Sequence, residues 1–278
     1  MQARSELSLD VAPFEAVPGR REAGVLFLCD HASNALPAAY GDLGLPAGAL
    51  ERHIGYDIGA AGLTRALAAR FEAPALLTRF SRLLIDPNRG ADDPTLVMKL
   101  SDGAIIPGNE KADAQEIARR TQLFWTPYRQ AAAQLAQEMA AAEPVPAIVS
   151  LHSFTPVWRG APRPWRVGLL WDLDARMAQP LLERLEAAGL GPVGDNEPYD
   201  GALKGDTLYD VATARGLPHV LIEVRQDLIA TPQGQAEWAG LIAQALAPVL
   251  ALPQCHMIDH HGSRAAARGP RPLLRRPA

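Results

Sequence analysis

Residues 24–34 read GVLFLCDHASN, an aliphatic run that ends at a cluster of polar side chains. Runs of this length and aliphatic content are typical of strands that are buried on both faces of a sheet. In an open α/β sheet, ligands bind outside the carboxyl ends of the strands. The segment therefore predicts a buried strand that is followed by residues suited to a binding site.

Five more runs of this kind occur along the chain, and helical patterns separate most of them. The other predicted strands are APALLTR (73–79), RLLID (82–86), AIVSLH (147–152), RVGLLWD (166–172) and HVLIEVR (219–225). The predicted helices cover residues 58–71, 112–142, 173–189 and 232–250, and Pro127 should kink or divide the second. This alternation predicts an α/β fold with a mostly parallel or mixed central sheet that is flanked by helices on both faces.

The domain organisation predicted from the chain is simple. No long linker and no internal repeat interrupts the pattern, so residues 1–262 are predicted to form a single α/β domain. The last stretch, SRAAARGPRPLLRRPA (263–278), is rich in Arg, Ala and Pro and is predicted to be a disordered basic tail.

Composition argues against several classes of protein. The 278 residues carry a formal net charge of −4, which disfavours non-specific attraction to nucleic acid or to an anionic membrane. The two cysteines lie far apart and imply no disulfide framework. The N-terminal segment lacks the apolar core of a signal peptide, and no apolar run reaches the ~18 residues of a membrane span. We therefore expect a cytoplasmic protein that binds neither nucleic acid nor membranes.

Polar side chains follow or end three of the predicted strands. His31 and Asn34 follow the first run, His152 ends the fourth, Glu223 lies near the end of the sixth, and Asp57 lies just before or within the first turn of a helix. Catalytic zinc usually takes three protein ligands from His and carboxylate and leaves a fourth position for water.

This set fits a mononuclear zinc hydrolase. The best nitrogen ligands are His31 and His152, and Asp57 or Asn34 can supply an oxygen ligand. Glu223 can serve as the base that such a site needs. The alternative is that each histidine caps a helix or is satisfied within the core.

The segment LLTRFSRLLIDPNRG (76–90) places arginines around an apolar run that ends in an Asp-Pro-Asn-Arg turn. An arginine binds a carboxylate or a phosphate through two parallel hydrogen bonds, and the Asn88 amide can add a donor. Asp86 can orient one of the arginines by an ion pair. The sequence contains no GxxxxGK[ST] motif and no GxGxxG that opens a helix, which disfavours a nucleotide-binding site. It also lacks GxSxG, which disfavours a serine hydrolase. A carboxylate is the preferred anion, although surface ion pairing is the alternative role for each arginine.

Five segments together resemble the N-formylglutamate amidohydrolase family, a branch of zinc-dependent, carboxypeptidase-like deacylases. They are FLCDHASNALP (27–37), RHIGYDIGA (52–60), SRLLIDPNRG (81–90), VSLHSFTP (149–156) and ARGLPHVLIEVRQDLI (214–229), and they run in the family's order. The resemblance implies a phosphorylase/hydrolase-like, zinc-carboxypeptidase-like α/β fold with a zinc site at the strand ends.

The resemblance also implies a role for each matching residue. His31 and His152 match metal ligands, Glu223 matches the general base, and Arg82, Asn88 and Arg89 resemble residues that bind the substrate carboxylate. Asp57, in the HI-x-x-D segment, is the preferred third ligand. Asn34 is an alternative ligand or a substrate-binding side chain, because it occupies the position of a ligating Glu in carboxypeptidase-like enzymes.

These observations predict a zinc-dependent amidohydrolase that cleaves the amide bond of an N-acyl acidic amino acid. N-formyl-L-glutamate is the first candidate substrate, and L-glutamate and formate are the expected products. Zn²⁺ is the expected cofactor, although such a site accepts other divalent ions. The expected partner is a small molecule with a free carboxylate. The alternatives are another N-acyl-amino-acid deacylase, a zinc carboxypeptidase, or a non-catalytic protein that binds a carboxylate.

Overall fold

The aliphatic run at residues 24–34 forms a buried strand, as predicted, in the computed structural model, which describes residues 10–266. All five residues of this strand, Val25–Cys29, are buried. Parallel strands pair with it on both sides, and helices cover both faces of the sheet. A strand in that position has no solvated face, which explains why its sequence shows no polar alternation.

The strands and helices alternate along the described residues. The strands are β1 Phe14–Val17, β2 Val25–Cys29, β3 Ala75–Thr78, β4 Leu100–Ser101, β5 Ala104–Ile105, β6 Ala147–Phe154, β7 Val157–Trp158, β8 Ala161–Pro162, β9 Val167–Leu170, β10 Val193–Asp195 and β11 His219–Arg225. The α-helices are α1 Ala60–Phe71, α2 Pro107–Glu110, α3 Ala114–Arg120, α4 Thr126–Ala142, α5 Ala178–Ala187, α6 Thr207–Val211, α7 Gln226–Ile229 and α8 Pro232–Leu250.

Seven strands form one central sheet in the order β1-β3-β2-β6-β11-β9-β10. Strands β3, β2, β6 and β11 are parallel to one another, whereas β1 at one edge and β9 and β10 at the other run in the opposite direction. The predicted mixed sheet is therefore confirmed. Because β2, β6 and β11 point the same way, their carboxyl ends lie side by side at one edge of the sheet.

Helices cover both faces of this sheet, as predicted. Apolar side chains of α1, α5 and α8 pack on one face, and those of α4 and α6 pack on the other. The long helix predicted for residues 112–142 is divided, because Thr121–Trp125 forms a π-helical segment between α3 and α4. Pro127 follows this segment directly, in the first turn of α4, where its missing N–H does least harm.

The predicted strand RLLID (82–86) is wrong. This segment forms successive turns, in which Leu84 N donates to Ser81 O and Asp86 N donates to Leu96 O. Leu83 packs in one small apolar cluster, while Leu84 and Ile85 pack in another. The run is apolar because it is buried between two clusters, and a sequence pattern does not distinguish that from burial within a sheet.

The C-terminal end of the described region bears on the predicted tail. Residues 263–266 of the predicted tail are described, and Arg264 donates to carboxylate oxygens of Asp172 and Asp200. Residues 267–278 of that tail lie outside the described part of the chain. None of the helices in residues 10–266 combines the length and the apolar character that a membrane span needs.

Candidate active site

Three buried side chains meet at the carboxyl edge of the sheet, where β2 and β6 end beside the start of α1. His31 Nδ1 lies 3.3 Å and His152 Nδ1 lies 2.8 Å from Asp57 Oδ2. One candidate ligand atom from each of these residues lies within 4.8 Å of the other two. This spacing suits three ligands that surround a single metal ion.

Local backbone structure holds Asp57 next to the two strands. Its N–H donates to His31 O at 2.9 Å, which ties the segment before α1 to the end of β2. Gly59 follows with a φ of 83°, and a Cβ at this residue would lie 2.1 Å from Ile229 O. Only glycine accepts both the left-handed φ and this close approach. The turn therefore delivers Asp57 to the site just before α1 begins.

A second carboxylate orients each imidazole from the other side. His31 Nε2 lies 2.7 Å from Asp86 Oδ1, and His152 Nε2 lies 3.1 Å from Asp30 Oδ2. Metal-binding histidines commonly donate their second N–H to a carboxylate, which fixes the tautomer and turns the other nitrogen towards the metal. Here that arrangement leaves both Nδ1 atoms facing Asp57. Asp30 was missed as such a partner, although it immediately precedes His31 in the sequence.

The charges in this cluster favour a divalent cation. Asp30, Asp57 and Asp86 are all buried, and among the described residues Arg82 is the one arginine or lysine that hydrogen-bonds to any of them. With neutral histidines, this leaves two negative charges away from water. Uncompensated buried charge costs several kcal/mol per ion, so the donor set fits a doubly charged ion.

The pKa shifts follow from the same packing. Burial opposes ionisation of Asp57, but the charge of His31 and the hydrogen bond with His152 hold the pKa of Asp57 below its usual range. Burial likewise opposes the charge on His152, but hydrogen bonds with Asp30 and Asp57 raise the pKa of His152 well above its ordinary value. The carboxylates therefore favour positive charge at the centre of the cluster.

Glu223 lies on the strand next to these ligands. In the parallel pairing of β11 with β6, Glu223 lies directly beside His152. The side chain is buried and lines the same cavity, and within the described part of the chain its Oε2 has no hydrogen-bond partner. Burial raises the pKa of Glu223 to about 7. A cavity-lining carboxylate that titrates near neutral pH is suited to accepting and returning a proton.

The structure brings Arg82, Asn88 and Arg89 to the same cavity. Arg82 donates to Asp57 Oδ1 at 3.4 Å and to Asp86 Oδ2 at 3.0 Å, so it holds two carboxylates of the cluster in place. Asn88 Oδ1 accepts from Thr207 N at 3.2 Å, which leaves the amide nitrogen to face a ligand. Arg89 Nη1 donates to Asn88 O at 2.9 Å, which fixes the side chain beside this amide.

The structure does not bring Asn34 to this cluster. Its Nδ2 donates to Leu50 O at 3.2 Å, and the residue does not line the cavity. A turn explains the difference, because Ser33 Oγ accepts from Ala35 N at 3.1 Å and directs the chain away from His31. Asn34 therefore holds a loop through its Nδ2, and its role as an alternative ligand or a substrate-binding residue stays a prediction.

An aromatic wall closes one side of the cavity, whose volume is about 340 Å³. The buried guanidinium of Arg163 lies 5.3 Å from the Trp158 ring centre and 5.1 Å from that of Tyr199. It also donates to the Tyr199 hydroxyl at 3.2 Å. Sequence reasoning missed this wall, because Trp158 lies in the two-residue strand β7 while Arg163 and Tyr199 lie in loops, and no periodic pattern marks any of them.

Comparison with known proteins identifies similar chains. A family model for N-formylglutamate amidohydrolase matches residues 23–230. A gene product of Agrobacterium tumefaciens with a solved structure is 35% identical, with a TM-score of 0.80 over 86% of this chain and 95% of that one. The N-formylglutamate amidohydrolase of Ralstonia eutropha JMP134 is 21% identical, with a TM-score of 0.68 over 86% of this chain and 97% of that one, and so shares its fold. No curated protein matches the sequence.

Proposed function

The chain belongs to the N-formylglutamate amidohydrolase family, and from that premise we propose that it is a metal-dependent hydrolase of N-acyl acidic amino acids. N-formyl-L-glutamate is the first candidate substrate, with L-glutamate and formate as products. One observation carries the proposal: a His–Asp–His cluster, the buried carboxylate of Glu223 and two arginines line a single cavity.

The cluster would hold zinc through the Nδ1 atoms of His31 and His152 and the carboxylate of Asp57. Two imidazoles and a carboxylate are a ligand set that catalytic zinc sites use, with one position left for water or substrate. The carboxylates behind both imidazoles and the excess negative charge support this assignment. When bound, zinc supplies Lewis acidity, which polarises an amide carbonyl and lowers the pKa of a water molecule at the site.

Glu223 is the proposed proton carrier. Its Oε2 takes a proton from the water that attacks the acyl carbon, and it then gives that proton to the nitrogen of the leaving amine. One water molecule is consumed, the C–N bond breaks, and the carboxylate returns to its starting state. A pKa near 7 suits both transfers, because the group is neither too weak a base nor too weak an acid at neutral pH.

Arg89 and the amide nitrogen of Asn88 are the proposed binding groups for the free carboxylate of the substrate. Arg82 adds positive charge on the same side of the cavity, although its hydrogen bonds are shared with Asp57 and Asp86. A guanidinium and an amide hold a planar carboxylate in a fixed orientation. Such positioning presents the amide carbon to the attacking water and lowers the entropic part of the barrier.

Metal analysis combined with a formate-release assay tests this proposal. The purified protein should carry stoichiometric zinc and release formate from N-formyl-L-glutamate, and chelation should stop release until zinc is returned. His152→Ala should lose both properties, while His260→Ala, which removes an exposed histidine outside the cavity, should lose neither. Formate release that survives complete metal removal would contradict the proposal. Release of C-terminal amino acids from peptides without formate release would favour a zinc carboxypeptidase.

A further inference from the structure

The cavity extends past Glu223 on the side of the sheet away from the arginine loop. Arg82, Asn88 and Arg89 lie in the loop that follows β3, whereas Glu223 lies on β11, two strands beyond β2 in the order of the sheet. Leu221 precedes Glu223 by two residues on β11, and Leu221 pairs with Leu170 of the neighbouring strand β9. Both leucines line the cavity, together with Leu208 of α6. We call the space bordered by these three leucines the leucine chamber.

The strand geometry gives the chamber its length. Alternate residues of a strand point to the same face, so Glu223, Leu221 and His219 form one row along β11, and all three line the cavity. Four residues of a strand span ~13 Å. A formyl group carries only a hydrogen on its carbonyl carbon, so N-formyl-L-glutamate held by the arginines would leave this space unfilled.

The side chains of the chamber are in contact with open space. Leu170, Leu208 and Leu221 are 5%, 6% and 5% exposed, whereas the adjacent strand residues Leu169 and Ile222 are 0% exposed. In a close-packed interior, residual exposure of buried leucines marks a cavity beside them. The three leucines therefore present apolar surface to the cavity.

At the far end of the chamber, the His219 ring offers no free polar atom to a ligand. His219 Nε2 lies 3.0 Å from Thr213 Oγ1, and its Nδ1 lies 2.8 Å from Leu217 O, so both ring nitrogens have partners within the protein. Burial also lowers the pKa of His219, which keeps the ring neutral. A space with leucine walls and a satisfied polar end suits a hydrocarbon group.

We propose that the leucine chamber binds the acyl group of the substrate, and that this group is a hydrocarbon chain larger than formyl. The inference rests on the proposed function, since it places the amide carbon between the arginines and Glu223. The amine half of the substrate carries the carboxylates and faces Arg89. The acyl half then extends from the carbonyl carbon past Glu223 into the chamber.

Binding of an acyl series tests the chamber without requiring turnover. The probes are N-formyl-, N-acetyl-, N-butanoyl- and N-hexanoyl-L-glutamate, and the protein is zinc-loaded Glu223→Gln, measured by isothermal titration calorimetry. Affinity should rise about fourfold for each methylene that enters the chamber. Affinity that stays level or falls from formyl to hexanoyl, or no binding of any member, would overturn the proposal.

Two variants localise the effect. Leu208→Phe, made in the Glu223→Gln background, should lower the ratio of hexanoyl to formyl affinity at least about tenfold, because the ring fills space that the chain would use. Leu217→Phe is the matched control, since Leu217 is buried in the same apolar cluster but does not line the cavity. Should Leu208→Phe not fold, Leu208→Ala should move the preferred chain length upward. An unchanged ratio in the folded variants would contradict the assignment.

Turnover of the wild-type protein separates this inference from the proposed function. If the wild-type protein hydrolyses N-formyl-L-glutamate but affinity does not change with acyl chain length, the proposed function stands and the assignment of the leucine chamber is wrong. If affinity rises with acyl chain length but the wild-type protein releases neither formate nor any longer acid, the chamber binds acyl groups and the proposed hydrolase function is wrong.

Discussion

Two buried acids of the cavity, Glu223 and Asp57, have different surroundings and are therefore suited to different roles. Asp57 Oδ2 lies within hydrogen-bonding distance of both histidines, and its pKa is held below the usual range. Glu223 Oε2 has no hydrogen-bond partner in the described chain, and its pKa is raised to about 7. A permanently ionised carboxylate is suited to hold a cation, whereas one that titrates near neutrality is suited to move a proton.

Glu223→Gln should lower kcat for formate release by about 10²–10⁴-fold while zinc content stays unchanged. Glutamine keeps the size of the side chain but cannot take a proton from water. The measurement is kcat with metal analysis of the same sample. Glu237→Gln, on the exposed side of α8, is the control and should change neither value. If the Glu223→Gln variant lost its zinc, that result would identify Glu223 as a metal ligand instead of the proton carrier.

Asp206 is a second buried acid with a shifted pKa. Its side chain caps α6 by accepting from Tyr209 N at 2.6 Å, and the residue is buried beside the cavity. Burial raises its pKa from 3.8 to about 7. Between these two values the folded state binds a proton that the unfolded state has lost, so this group makes stability fall as pH rises through the window.

Asp206→Asn should therefore gain stability relative to wild type as pH rises from 4 to 7, and the gain should level off above 7. Asparagine caps a helix as well as aspartate does but carries no charge. The full gain is up to about 4 kcal/mol in the free energy of unfolding. Urea denaturation at pH 5 and pH 8 measures it, with Asp113→Asn, at the exposed N-cap of α3, as the control for capping. A gain that is equal at both pH values would contradict the shift.

At the scale of elements, Arg129 joins helix α4 to the substrate side of the cavity. It donates to Pro87 O at 2.9 Å and to Gly205 O at 3.0 Å, and it pairs with Asp210 on α6. Pro87 precedes Asn88 in the loop that carries the proposed carboxylate-binding groups. One buried guanidinium therefore sets the positions of a helix and of a binding loop.

Arg129→Lys should lower the free energy of unfolding by about 2–4 kcal/mol and raise KM for the carboxylate substrate more than it lowers kcat. Lysine keeps the charge but cannot make this set of directed hydrogen bonds from a planar group. Denaturation and steady-state kinetics measure the two effects. Arg184→Lys, on the exposed side of α5, is the matched control. Lost stability with an unchanged KM would show that Arg129 does not position the loop.

The elements that sequence analysis predicted well are those that are buried on both faces. Strands β2, β6 and β11 are buried and carry runs of aliphatic residues because helices cover both sides of the sheet, and that is a pattern the sequence shows directly. Strands β1 and β10 were missed, since each is short, lies at an edge and is partly exposed. RLLID (82–86) was misread because burial between two loop clusters selects the same residues as burial in a sheet.

The candidate site divides in the same way. His31, His152 and Glu223 were predicted to meet because the carboxyl ends of parallel strands share one edge. The aromatic wall forms only when the β7–β8 hairpin and a distant loop bring together Arg163, Trp158 and Tyr199. No spacing of residues along the sequence predicts that contact. Asn34 was placed by its distance from His31 along the chain, and a turn after Ser33 sets its amide nitrogen on Leu50 O instead of in the cavity.

At the scale of the whole molecule, the fold concentrates negative charge near the middle of the sheet. Asp30 follows β2, Asp57 precedes α1, and Asp86 lies in the loop after β3, so three separate connections bring carboxylates to one buried region. Their mutual repulsion opposes folding unless protons or a cation balance it. A cation bound at the proposed metal site would therefore stabilise the entire domain.

Zinc loading should therefore raise the melting temperature of the protein. Zinc at about 1,000 times its Kd adds roughly 4 kcal/mol to the folded state, which corresponds to roughly 10 °C in Tm for a chain of this size. Calorimetry of chelated and zinc-loaded samples measures the shift. His152→Ala should lose most of it, and His260→Ala, which removes only an exposed histidine, should keep it. Because this measurement does not depend on turnover, an equal shift in His152→Ala would place the stabilising zinc outside the cluster, whatever substrate the enzyme hydrolyses.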